Sequence, residues 1–233
     1  DFASRISFSN MNMSGVNPNS GAIRRYANVK TMFTPMKDLR VSFDYKYTYK
    51  KNHNAATEGY GAGSNNPYSD ILQWGQTNVN LKQYKDYKRP DGSFRSWNIT
   101  DYNDFTPAFH DSPYAQYNEI NNTNTREFHV LAGDIEYSLP YNIKIGFKTT
   151  ANLYNFYQLY NRAGLTGQTD IHKQWQRKSY DIYNQGRITW NDKFVNDRLS
   201  AQAALFIENR NYHYEGVNVF TRDGLLLPGF FRT

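Results

Sequence analysis

Cysteine is absent from the 233 residues, which excludes a disulfide framework and any cysteine-based zinc site. Also missing is an apolar run near the roughly 18 to 20 residues that a membrane helix needs. No charged-then-apolar leader opens the chain. Hydrophobic residues are scarce at 39%, thin for a chain expected to bury a large core of its own. What is abundant is the aromatic ring. With 20 Tyr and 15 Phe, aromatic content reaches 17%, yet the mean hydropathy is −0.82. Amphipathic rings in a wet average sequence suit a boundary between apolar and aqueous phases, because the ring body prefers hydrocarbon and the hydroxyl prefers water.

Hydrophobic periodicity is 2.0 wherever it is clear, which signals strands rather than helices. Leu39, Val41, Phe43, Tyr45, Tyr47 and Tyr49 alternate with Arg40, Ser42, Asp44, Lys46, Thr48 and Lys50. Ile143, Ile145, Phe147, Ala151 and Leu153 repeat the pattern against Lys144, Gly146, Lys148 and Asn152, and Leu199, Leu205 and Ile207 repeat it again. Weaker alternation occurs near Ile6, Val29, Ile135 and Ile188. About seven strands are expected, several long enough to cross a bilayer when tilted, which takes roughly 9 to 11 residues. No helix is expected anywhere.

The connections alternate. Short turns are expected at Thr34 to Asp38, Leu139 to Asn142 and Asn191 to Arg198. Longer connections are expected at Val16 to Ala22, Lys51 to Thr125, about Tyr160 to Arg177, and after Tyr214. Strict alternation is the habit of strands running between a periplasmic side with tight turns and an outer side with elaborated loops. The fold class expected is therefore all-β, a section of a large antiparallel transmembrane β-barrel. The stretch at about 51–125, rich in Asn, Tyr, Gly and Asp, reads as a folded extracellular loop.

Three stretches carry a family resemblance. Phe8-Ser9-Asn10-Met11-Asn12-Met13-Ser14-Gly15-Val16-Asn17-Pro18-Asn19-Ser20, followed by Arg24-Arg25-Tyr26, resembles the SusC/RagA pattern of a strand ending in Gly, a hydrophobic residue and a Pro-x-Ser turn. Asp111-Ser112-Pro113-Tyr114, followed by Asn124-Thr125-Arg126-Glu127-Phe128, is similar to that family's Asn-Pro-Tyr segment, with the Asn replaced. Asp223-Gly224-Leu225-Leu226-Leu227-Pro228-Gly229-Phe230 resembles its Pro-Gly-Phe/Tyr loop. The three lie in the family's order and span nearly the whole chain. The resemblance implies a middle section, residues 1–233, of one TonB-dependent barrel of the bacterial outer membrane. The plug domain and the closing strands would lie outside it, and since the chain opens at Asp1 and stops at Thr233 in mid-barrel sequence, it is expected to be a fragment. It further implies import of an oligosaccharide or peptide nutrient, a SusD-like surface lipoprotein as partner, TonB engaged through the missing plug, and outer-membrane lipid around the wall.

Side-chain roles follow from the alternation. Arg40, Asp44, Lys46, Lys144 and Lys148 are expected to line a water-filled lumen. Val41, Phe43, Tyr45, Ile143, Ile145, Phe147, Leu199, Leu205 and Ile207 are expected to meet lipid, where each outward charge would be costly. In the long loop, Trp74, Tyr84, Tyr87, Trp97, Tyr102, Phe105, Tyr114 and Tyr117 are candidates for a ligand or lipoprotein surface, since ring planes stack on sugar faces beside amides that satisfy hydroxyls. The competing reading is that these rings hold the loop together.

Other chemistries find little support. His53, His110, His129, His172 and His213 are dispersed, with no pair at metal spacing, so neither a metal nor a cofactor is expected. Gly59-Tyr60-Gly61-Ala62-Gly63 lacks the strand-to-helix context of a nucleotide loop. No carboxylate pair can be named as acid and base, and the chain is not expected to be an enzyme. A formal net charge of +6 interleaved with rings could meet nucleic acid, but the cations fall on the polar face of alternating strands, and lumen lining is the stronger reading. The rivals are a soluble secreted glycan-binding β-protein, whose apolar faces would pack on a second sheet, and a barrel of another class such as a secretion translocon.

Overall fold

The computed structural model describes residues 1–55, 66–165, 169–196, 198–227 and 230–231. Seven strands make one antiparallel sheet: β1 (Phe2–Ser14), β2 (Gly21–Met36), β3 (Leu39–His53), β4 (Ile120–Leu139), β5 (Ile143–Arg162), β6 (Ile171–Phe194) and β7 (Leu199–Phe220). They pair strictly in chain order, so β1 and β7 are the two edges. Each strand finds its neighbour through the turn that precedes it, which is why an alternating sequence with tight turns folds without crossovers.

Connections at one end are residues 37–38, 140–142 and 195–198; at the other they are 15–20, 54–119 and 163–170. The asymmetry expected from the sequence is present, but the three longer connections are all shorter than expected, 163–170 most of all. The strands run on into stretches that had read as loop, to lengths of 20, 20, 24 and 22 residues in β4 to β7. The turns at 140–142 and 195–198 use left-handed backbone, at Asn142 (φ 55°) and Asn196 (φ 53°), where asparagine tolerates it, and also at Tyr141 (φ 65°) and Val195 (φ 54°).

Residues 54–119 are partly helical, which corrects the expectation of no helix. Helix α1 spans Pro67–Trp74 and α2 spans Pro113–Glu119, with a 3₁₀ turn at Leu81–Lys85. Both helices begin in the same way. The side chains of Asn66 and Ser112 accept the backbone N–H of Ser69 and Tyr114, and proline occupies the first turn, where its missing N–H is harmless. No helix among the described residues is long and apolar enough to cross a membrane.

The buried apolar core among the described residues is small. Ala115, Ile120 and Leu165 form it above the long-loop end of the sheet, with Tyr87, Phe94 and Tyr160 packed against them. Among the described residues nothing forms a second layer on the apolar side of the sheet: Phe43 is 45%, Ile145 45% and Leu205 69% exposed.

Candidate functional site

Register assigns every strand residue to a face. Residues directly opposite share a side, so the row Phe2, Phe33, Val41, Ile135, Phe147, Gly186, Ile207 crosses all seven strands on one face. Val41, Phe43, Tyr45, Ile143, Ile145, Phe147, Leu199, Leu205 and Ile207 all lie on this apolar face. Arg40, Asp44, Lys46, Lys144 and Lys148 all lie on the other.

Between the levels of Ile143 and Leu153 the apolar face carries no Asp, Glu, Lys or Arg on any strand. The opposite face over the same stretch carries charge on every strand, with Arg5, Lys30, Asp44, Glu136, Lys148, Arg187 and Arg210 in order. The stretch is about 33 Å long at about 3.3 Å per residue, or about 23 Å high at a tilt of about 45°. Rings border it. Trp190 and Phe194 stand 6.1 Å apart near the tight turns, while Tyr47 with His129 (4.9 Å) and Tyr180 with His213 (5.1 Å) stand at the other border. One row further toward the long loop the apolar face becomes charged at Arg25, Glu127, Lys178 and Glu215, the last two 3.9 Å apart.

On the charged face, the half nearer the tight turns is cross-linked by ion pairs. Arg187 on β6 donates to Asp134 at 2.7 and 3.0 Å and to Glu136 at 3.0 Å, both on β4. Its path crosses β5 at Gly146, where an added Cβ would sit 2.6 Å from the guanidinium carbon. Glycine there is what lets one arginine bridge two strands. Lys144 reaches Glu136 at 3.2 Å, Lys46 reaches Asp44 at 3.5 Å, and Arg210 grips Asp181 at 2.8 and 2.9 Å.

The loop aromatics divide. Trp74 and Trp97 each stack on His110 with ring centroids at 5.9 Å. Asp70 lies behind, its Oδ1 3.2 Å from His110 Nδ1 but off the line of a hydrogen bond, and its Oδ2 accepting from Gln116 at 2.8 Å. Tyr87 stacks on Phe94 and donates to Glu119 at 2.9 Å. The Tyr84 carbonyl accepts from Ser112, the Tyr114 amide donates to the same hydroxyl, and the Tyr117 carbonyl accepts from Asn19, which ties α2 to the β1–β2 turn. These six therefore take part in holding the loop together. Tyr102 at 81% and Phe105 at 60% exposure present free ring surface, as does one side of Trp74 at 52%. Leu72 and Phe109 join them at 81% and 69%; their only sequence signal is an apolar residue in a polar loop. The glycine-rich Gly59 to Gly63 segment lies outside the described residues. Among the described residues no group of three His, Asp or Glu is placed to hold a metal.

Burial, with the neighbouring Glu119, pushes the Tyr87 hydroxyl up to about 12. A raised phenol pKa favours the neutral, donating form, so this contact contributes fully below pH about 10 and is lost as pH rises through about 12. Tyr87→Phe is expected to remove one high-pH component from the tyrosinate absorbance titration and to cost the loop about 1–2 kcal/mol, read as faster proteolysis within 54–119. An unchanged titration would show that Tyr87 ionises like a free tyrosine.

No protein-family model matches this chain, and no curated protein matches it.

Proposed function

We propose that the chain is a wall section of an outer-membrane β-barrel that imports a nutrient of the oligosaccharide or peptide class. The observation that carries this reading is the contrast between the two faces. Over about 23 Å of height one side of seven strands carries no formal charge and is left uncovered by the described residues, while the other is charged on every strand and internally ion-paired. A continuous apolar surface across seven strands is far larger than a soluble monomer ordinarily exposes. Lipid hydrocarbon fits it, because the height matches the apolar band of outer-membrane barrels, about 25 Å, and aromatic rings border both rims. A soluble glycan-binding sheet would cover this face with a second layer, and the described residues supply none.

The charged face then lines the lumen, and the folded 66–119 segment stands on the outer side with Tyr102, Phe105, Phe109 and Leu72 offered to a SusD-like lipoprotein. TonB would act through a plug supplied outside this chain. Recognition is by binding rather than covalent chemistry, so no catalytic residue is assigned.

No cysteine in these 233 residues competes with an introduced one. Ile145→Cys and Lys148→Cys, each carrying a small fluorophore in the intact protein, are placed in vesicles containing brominated lipid. Quenching by at least about threefold at 145 and little at 148 is the expected outcome. Equal quenching at both sites, or a protein that stays soluble without detergent, would overturn the proposal.

A further inference from the structure

The charged face changes character toward the long-loop end. Register sets Arg24, Lys50, Arg126, Phe156 and Arg177 directly opposite one another on five consecutive strands. From this row to the strand ends the same face also carries Arg162 and Lys173, and no Asp or Glu on any of the seven strands. None of the four row cations lies within ion-pair distance of a carboxylate among the described residues, whereas lower on the same face Lys46, Lys144, Arg187 and Arg210 each do. Like charges directly opposite on neighbouring strands oppose pairing. Three adjacent cations, Arg24, Lys50 and Arg126, are therefore a local cost to the sheet that an anion would relieve.

The neighbours of the row narrow the anion. Arg126 and Arg177 lie 5.5 and 6.0 Å from the Phe156 ring, and Arg177 stacks 3.4 Å from the centre of Trp175, which meets Phe156 edge-on at 6.0 Å. The guanidiniums are thus held over rings, and Arg177 Nε is buried without a hydrogen-bond partner among the described residues. On the side toward the loop the next row is amide-rich: Asn52 donates to Asn124 at 3.2 Å, with Gln158 beside them. On the side toward the tight turns stand Phe128 and Tyr154, ring to ring at 6.4 Å.

We infer that this patch binds an acidic oligosaccharide, one whose sugar units carry carboxylates. The inference rests on the reading of this face as the lumen. Carboxylates meet the cation row through charge-assisted hydrogen bonds. Hydroxyls, which both donate and accept, meet the amides, and the C–H faces of the sugar rings meet Phe156, Trp175 and Tyr154. An acidic peptide satisfies the cations but brings an ammonium terminus into a half-face that carries only positive charge. Inside a low-dielectric wall the cations' field is focused along the lumen, which raises the local concentration of such a ligand.

The test is calorimetric titration of the intact protein in nanodiscs with an oligogalacturonate, its carboxyl-reduced neutral counterpart, and an oligoglutamate of equal charge. The oligogalacturonate is expected to bind at least tenfold tighter than either of the others, and its affinity is expected to fall as salt is raised. Arg126→Gln is expected to weaken it at least tenfold, Arg126→Lys several-fold less, and Lys46→Gln not at all. The heat-dependent gel shift of a folded barrel verifies that each variant is intact. Equal affinity for the neutral sugar, tighter binding of the peptide, or no binding overturns the inference, and so does salt independence, which would mean that protein carboxylates already neutralise the row. If the Ile145 label is quenched by lipid while no acidic sugar binds, the importer reading stands and this inference alone falls.

Discussion

Arginine in place of Phe43 is expected to cost the bilayer-inserted protein about 2–4 kcal/mol, whereas arginine in place of Ser42, its immediate neighbour, is expected to cost less than about 1 kcal/mol. The two positions share a strand and differ only in the side they face. Phe43 is 45% exposed near mid-height of the charge-free band, opposite Thr31 and Gly133. A guanidinium there would sit in hydrocarbon with no partner within reach. Ser42 lies opposite Met32 and Asp134 on the charged face, where a cation joins carboxylates and water. Urea unfolding in lipid vesicles, followed by tryptophan emission, reads the difference as a shift in midpoint at constant slope. Equal losses at the two positions would mean that both faces meet the same medium, and the proposed function would fall with that result.

Removal of Arg187 is expected to have the next largest effect. Arg187→Met leaves Asp134 and Glu136, two carboxylates on one face of β4, without the cation that separates them. Breaking a buried pair from one side costs about 3–5 kcal/mol. Here the three side chains keep 17%, 23% and 16% exposure, so about 2–3 kcal/mol is expected. Gly146→Ala should produce part of the same loss, about 1–2 kcal/mol, because its methyl would occupy the path of the guanidinium. In the Arg187→Met background the alanine should be nearly neutral, and a double-mutant cycle in the same unfolding assay measures that coupling. Additive losses would mean that glycine is needed at position 146 for a reason unrelated to the arginine.

Much of the sheet was legible from residues alone because its lower half obeys one rule on both faces. In β3 and β5 the alternation of Phe43 with Asp44, and of Ile145 with Lys144, announces strand, period and facing in a single pattern. The upper halves were harder to read. Past Tyr49 polar residues occupy both faces and past Leu153 rings and amides do, the contrast vanishes, and Lys51 to His53 and Ile120 to Thr125 read as loop although they continue the ladder. The helices had a readable sign in Asn66-Pro67 and Ser112-Pro113, but a polar residue before proline also begins turns, and helices of 8 and 7 residues leave no periodicity to decide between them. The stacking of Trp74 and Trp97 on His110 joins residues far apart in the chain and leaves no local trace. The same is true of the cation row, since Arg24, Lys50, Arg126 and Arg177 become neighbours only once four registers are known.

The strand order ends at β1 on one side and β7 on the other, and each leaves a line of peptide groups with no strand to zip to among the described residues. Such open seams are adhesive, and they make the order of assembly matter. Under the proposed function, further strands would have to be stitched on at both hems before a second copy arrives, since two arrested walls meeting seam to seam would lock into a ribbon rather than close into a tube.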